Sequence, residues 1–195
     1  MDKAIDLPVT GKYNATNAML AAYVALKEGI SEEAIRQSFA NLKLTGNRTE
    51  WKKASNGADV LSDVYNANPT AMRLILETFS TIPFNDGGKK IAVLADMKEL
   101  GSDSKQMHGS IITSMNPEII SELYLYGEDI EALFDYAKEI FPPNRVHYFI
   151  KNETTDQFEQ LAKAIHDHLK PTDQILIKGS NSMNLAKIVE ILEQD

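Results

Sequence analysis

The chain has 195 residues, 43% hydrophobic and 25% charged, a globular balance with enough bulk for a substantial core. A net charge of −8 argues against a nucleic-acid or anionic-membrane surface, although a single phosphate ligand needs only local donors. The absence of cysteine removes disulfides, thiolate nucleophiles and Cys-ligated zinc, and suits a reducing cytosol.

Residues 14–28 (NATNAMLAAYVALKE) are apolar nearly all round, which predicts a buried helix stopped by Gly29. Ser31 caps a second helix, SEEAIRQSFANL, with Glu32 and Glu33 at its positive end and Ile30 and Ile35 spaced for a hydrophobic staple. Two such helices make a poor core alone, so the segment reads as the tail of something larger, followed by a linker at LTGNR. From Arg48 the rhythm changes. EWKKASNGADVLSDV predicts two strands around Asn56-Gly57, a strong hairpin signal. Then come a helix from Pro69 to Ile82, strand KIAVLAD, a helix over 104–115, strand ELYLYG and a helix over 129–140. Strand RVHYFI, a helix over 155–169, strand QILIKG and a helix over 183–192 complete the chain. IAVLA and ILI are continuous apolar runs, as expected of strands covered on both faces. The fold class is therefore α/β, a Rossmann-like and mostly parallel sheet with an antiparallel hairpin at its start.

In such sheets ligands bind at the carboxyl ends of the strands. Three of those ends are polar beyond the needs of a turn: SDVYNANP, DMKELG and KGSNS. Each precedes a helix whose first N–H groups face the same edge. Asn68-Pro69 alone is explained as a cap followed by proline at the first helical position, but Asp63 and Asn66 are not needed for that. Asp96 has a turn-capping reading and Glu99 a solvated one. Lys178, at a strand end with a helix N-terminus behind it, suits a phosphate. A calcium loop around Asp63 fails, because proline replaces the glycine and the closing glutamate is absent.

Other candidates carry less. His166 and His168 point to different faces of one helix and are expected at the surface, His147 in strand packing or exposed, and His108 near the rim. Trp51, Tyr124 and Tyr126 read as sheet packing. No G-x-S-x-G, H-E-x-x-H or G-x-x-x-x-G-K-[ST] occurs. No apolar run approaches ~18 residues, and MDKAIDLPVTG lacks the regions of a signal peptide. A cytoplasmic protein without membrane insertion is expected, so N-x-[ST] at Asn14, Asn47 and Asn152 is not read as glycosylation. From the residues alone, a nucleotide- or small-molecule-binding α/β domain follows.

GKYNATNAMLAA, TGNRTEW, DVYNANPTAM, VLADMKELG, His108 and ILIKGSNSMNLAKIVE occur in the order seen in the Mur ligases, and most resemble their MurF type in a streptococcal wording. The resemblance covers nearly the whole chain. It implies that residues 1–44 are the helical tail of the central ATPase domain and 45–195 the C-terminal Rossmann-like domain. It further implies ATP-dependent addition of D-alanyl-D-alanine to UDP-N-acetylmuramoyl-tripeptide through an acyl phosphate, by a monomer. Carried over by motif, Asn14, Asn17, Arg48, Asp63 and Asn66 fall on the nucleotide side. Asn66, Asn68, Thr70, Asp96 and Met97 fall on the dipeptide side, with His108, Lys178 and Ser180 at the rim. The cofactors implied are ATP and Mg2+, the magnesium ligands being expected on the central domain and none on this chain. The sequence departs from the family pattern at Tyr13, where histidine is common, at Ala95 within L-G-D-M, and at Asn181, where arginine follows K-G-S. Asn47 also splits a glycine–arginine pair. P-loop, magnesium ligands and modified lysine are missing, and a methionine precedes a mid-protein sequence, so a fragment inactive by itself is expected. A stand-alone binding module and a Mur ligase of another amino-acid specificity remain open.

Overall fold

The computed structural model describes residues 4–5, 7–42, 46 and 48–194. Most of the expected linker (Leu44, Thr45 and Asn47) lies outside the described residues, as does Met1. The chain divides into two compact units, Met1–Thr45 and Gly46–Asp195.

The first unit holds α1 (Lys12–Lys27) and α2 (Glu32–Ala40). Gly29, at φ +82, lies in the link between them, and the Ser31 hydroxyl accepts from the Ala34 N–H to cap α2. The expectation of a buried α1 is corrected. Only Ala22 is buried in it, while Met19 is 71% exposed and Leu20, Tyr23 and Val24 are exposed as well. An all-round apolar helix needs neighbours on several sides, and one short partner helix covers only a strip.

The second unit carries β1 (Glu50–Lys53), β2 (Asp59–Asp63), α3 (Pro69–Thr81), β3 (Lys90–Ala95), α4 (Ser104–Gly109) and β4 (Glu122–Tyr126). These are followed by α5 (Glu131–Ile140), β5 (Val146–Phe149), α6 (Phe158–His168), β6 (Gln174–Lys178) and α7 (Ala186–Gln194). The sheet order is β1-β2-β6-β3-β4-β5. β1 pairs antiparallel with β2 and every other neighbour is parallel. The two faces differ in side-chain type. Leu61, Ala92, Leu94, Leu123, Leu125 and Leu176 form one core with α3 and α5. Val60, Ile91, Val93, Tyr124, Ile175 and Ile177 form the other with α6 and α7. Both faces are covered, and hence KIAVLA is apolar in nearly every position rather than alternating.

Three helices differ from their expected bounds. The one expected over 104–115 relaxes into a 3-10 turn after Gly109. The one expected from 155 begins at Phe158, because Asn152 Oδ1 accepts from the Thr154 and Thr155 N–H groups and Lys151 bridges to Asp156. The last begins at Ala186, after a 3-10 turn and Asn184 at φ +57. Lys90, buried at the start of β3, donates to the carbonyls of Phe79, Ser80 and Ile82 and so closes the C-terminal end of α3.

Candidate functional site

The chain runs outward from β3 through β4 to β5, then returns to place β6 between β2 and β3. Helices following β2, β3 and β4 pack on the leucine face, and those following β5 and β6 on the opposite face. Loops leaving β2, β6 and β3 therefore part at a topological switch point, where open α/β sheets hold their ligands. The register sets Asp63 opposite Lys178 and Lys178 opposite Leu94, so the three polar loops converge on one edge.

Inside that edge the polar residues are consumed by one another. The Lys178 ammonium, 1% exposed, lies 2.6 Å from Asp63 Oδ2 and donates to the Asn66 carbonyl at 2.9 Å. Burial pushes Lys178 below its ordinary value, while the Asp63 carboxylate pulls it back up. A lysine so enclosed does not fit the phosphate contact expected of it, and ties the β2 loop to β6 instead. Asp63 Oδ1 accepts from the Thr49 N–H at 3.1 Å. The Ser180 hydroxyl accepts from the Lys98 N–H at 2.9 Å, and the Ser180 N–H donates to the Asp96 carbonyl.

Asp96 and Met97 have almost no exposed side-chain surface. Asp96 accepts from the N–H groups of Glu128 and Ile130 and from the Lys98 ammonium, at 3.1, 2.9 and 2.7 Å. Gly127 (φ +144) permits that approach, since a Cβ there would lie 2.2 Å from Asp96 Oδ1. His108 is fully buried rather than at the rim. Its Nε2 accepts from the Met97 N–H at 2.8 Å, which leaves the ring proton on Nδ1, 2.8 Å from the Ser104 carbonyl. The Ser104 hydroxyl in turn donates to Asp129.

What the edge offers outward is a shorter set: Arg48, Tyr65, Asn66, Asn68, Thr70 and Lys98, all exposed. Asn68 Oδ1 accepts from the Ala71 N–H at 2.8 Å and caps α3, with Pro69 at its first position. Asn66 Oδ1 accepts from the Ala67 N–H. Among the described residues no protein group takes a proton from either side-chain amide nitrogen, so both keep donors for a ligand. In the first unit, Asn17 is exposed on α1 and Asn14 donates to the Thr10 carbonyl at 2.7 Å. The described residues contain no group of three His, Asp or Glu side chains arranged to hold a metal ion.

A family profile described as "Mur ligase, glutamate ligase domain" matches residues 47–181, most of the chain and all three converging loops. This chain belongs to the Mur ligase family. The UDP-N-acetylmuramoyl-tripeptide–D-alanyl-D-alanine ligase of Bacillus subtilis strain 168 is 31% identical over 186 residues, 95% of this chain and 39% of that protein. The crystal structure of MurF from Acinetobacter baumannii superposes with a TM-score of 0.78 at 23% identity, over 98% of this chain and 39% of that one. MurF from Thermotoga maritima, crystallised with ADP, gives 0.72 at 22%, over 95% and 39%. The chain thus spans about two fifths of the Mur ligases it matches, and the two structures establish the fold.

Within this Mur ligase edge, sequence reasoning did not reach the roles of Thr49, Lys98 and the Gly127–Ile130 loop. Their only signal was position, beside or at the carboxyl end of a strand. No helix among the described residues is long and apolar enough to cross a membrane.

Proposed function

We propose that this chain is the C-terminal part of an ATP-dependent ligase that joins D-alanyl-D-alanine to UDP-N-acetylmuramoyl-tripeptide. The likeness to the Bacillus subtilis ligase, running along 95% of the chain, carries this reading. Residues 1–44 are then the tail of the central domain and 45–195 the C-terminal domain of a cytoplasmic monomer. In the reaction a tripeptide carboxylate oxygen attacks the γ-phosphorus of ATP and ADP leaves. The dipeptide amine then attacks the acyl carbon, the acyl C–O bond breaks, and an amide forms as phosphate departs, the proton lost by the amine passing to phosphate or solvent. Catalysis of such transfers is chiefly positioning and charge stabilisation, tasks that a closing domain performs well.

The outward groups divide by chemistry. Arg48 supplies permanent positive charge for phosphate oxygens. Asn66, Asn68 and Thr70 supply neutral donors and acceptors at the N-terminal end of α3, suited to the dipeptide carboxylate and amide, and Asn66 is suited to the nucleotide's hydroxyls as well. Asp63, Asp96, Met97, His108, Lys178 and Ser180 act behind them by holding the loops. Mg2+ accompanies ATP in this reading, its ligands belonging to the central domain, and the described residues of this chain hold no group of three acidic or histidine side chains for it.

The test is a full-length ligase containing this chain, assayed for phosphate release with D-alanyl-D-alanine and with single amino acids. Activity restricted to the dipeptide supports the reading, and activity with a single amino acid replaces it by another Mur specificity. Arg48→Ala should lower kcat/KM for ATP at least about tenfold, ~1.4 kcal/mol of transition-state stabilisation. The 195-residue chain alone should unfold cooperatively and release no phosphate from ATP.

A further inference from the structure

Arg48 and Tyr65 are both exposed, Tyr65 to 45%, and the guanidinium carbon stands 4.0 Å from the ring centroid. No carboxylate is paired with Arg48 among the described residues. Tyr65 lies between Asp63 and Asn66, in the loop that carries the neutral donors, yet its ring is neither core nor cap. One residue beyond Arg48, Thr49 takes φ +47, a left-handed conformation that a β-branched residue rarely adopts. Such strain persists only where surrounding contacts over-determine it. Here the Thr49 N–H donates to Asp63 Oδ1, and Asp63 is itself gripped by the buried Lys178. A ring beneath the guanidinium and a clamped backbone turn therefore both act on the direction of one side chain. Asp63 and Lys178 offset one another in charge, and Lys98 is paired with Asp96, so Arg48 is the exposed cation of this edge with no carboxylate partner among the described residues. The Arg48 charge also adds to the downward push on Lys178, so the two cations feel each other.

We propose that Tyr65 is a positioning residue which, with the Thr49–Asp63 clamp, pre-orients the Arg48 guanidinium as a receptor for a nucleoside polyphosphate. A guanidinium with its carbon held over a ring face leaves N–H groups at its rim free to grip phosphate oxygens in pairs. The ring also removes rotamer freedom that Arg48 would otherwise lose on binding. This role rests on the phosphate contact of Arg48 assigned under the proposed function.

A double-mutant cycle in the full-length ligase tests it, with KM for ATP and for D-alanyl-D-alanine measured in Arg48→Ala, Tyr65→Ala, Tyr65→Phe and the Arg48→Ala/Tyr65→Ala pair. Tyr65→Ala should raise KM for ATP about three- to fivefold, the scale of an exposed cation–π contact, and leave KM for the dipeptide within about twofold. Tyr65→Phe, which keeps the ring face, should behave as wild type. In the Arg48→Ala background Tyr65→Ala should add nothing, because its effect passes through Arg48. Additive losses, an equal loss in Tyr65→Phe, or an unchanged KM for ATP in Tyr65→Ala would each overturn the positioning role. If Arg48→Ala itself leaves ATP kinetics unchanged, the phosphate contact falls and this role with it. If Arg48→Ala is impaired and Tyr65→Ala is not, only the role of Tyr65 falls. Melting of the 195-residue Tyr65→Ala chain at the wild-type temperature separates the effect from unfolding.

Discussion

Lys178 and Asp63 occupy opposed register positions on neighbouring parallel strands and meet ammonium to carboxylate at 2.6 Å. They are 115 residues apart in the chain. Lys178→Met should destabilise the 195-residue chain by about 3 kcal/mol, the scale of breaking a buried pair, because Asp63 stays half-buried without its counter-charge. Pairing it with Asp63→Asn should restore part of that loss. Urea unfolding measures both, and a single-mutant loss under about 1 kcal/mol would mean that the pair is solvated, as exposed pairs are.

The two asparagines before α3 should separate stability from turnover. Asn68→Ala removes the acceptor for the Ala71 N–H and should cost about 1 kcal/mol of stability. Asn66→Ala leaves the cap and the Asn66 carbonyl bond to Lys178 in place and removes only the part-buried acceptor of the Ala67 N–H, so the melting temperature should fall less than in Asn68→Ala. In the full-length ligase the same Asn66→Ala should raise KM for the dipeptide or for ATP. Wild-type values for both would remove Asn66 from the site.

His108→Leu should strand the buried Met97 N–H and cost about 2 kcal/mol. Hydrogen exchange at the Met97 amide is the direct readout: it should quicken well beyond the change seen at β3 amides. Equal acceleration throughout would mean a general loss of stability rather than a released loop.

Acid should weaken the chain in two stages. Burial holds His147, stacked 4.6 Å from Tyr124, below its ordinary 6.5, against an upward pull from Glu122. Its contribution to stability is therefore complete above about 6.5 and is lost as pH falls through the depressed folded value. Asp59 and Glu122 are also held low, by hydrogen bonds to Asn85 and Lys89 respectively and by those lysine partners Lys53 and Lys89, which outweigh burial. Their contributions fade only below the ordinary carboxylate range. His147→Phe keeps the stacking and should abolish the upper stage alone. Guanidinium-unfolding midpoints between pH 7.5 and 4 would show it, and an unaltered slope would clear His147 of the effect.

Much of the fold was legible because its signals are local. The Asn56-Gly57 turn, the Asn68-Pro69 cap and the continuous apolar runs of β3 and β6 each act within a few residues, and each stands in the structure where the chain order puts it. Helix starts near 155 and 183 were misplaced because side-chain and backbone bonds, such as those of Asn152, outbid the propensity of the next residue. The apolar character of α1 was equally plain, but burial is a property of a pair of surfaces, and no pattern along one helix supplies the second.

By itself, the sequence determined the alternating α/β order, the hairpin, the cap of α3 and the three polar loops at strand ends. It also determined, through those motifs, membership of the Mur ligases. Tertiary structure alone decided which polar residues face a ligand. Insertion of β6 between β2 and β3 brings Asp63 against Lys178, the packing of α4 brings His108 under Met97, and the turn after β4 closes on Asp96. Desolvation then turns these groups into ties, because a buried charge or polar group must find its partner within the protein. Arg48, Asn66, Asn68 and Thr70 are left facing outward, since nothing among the described residues takes up the rest of their hydrogen-bonding capacity.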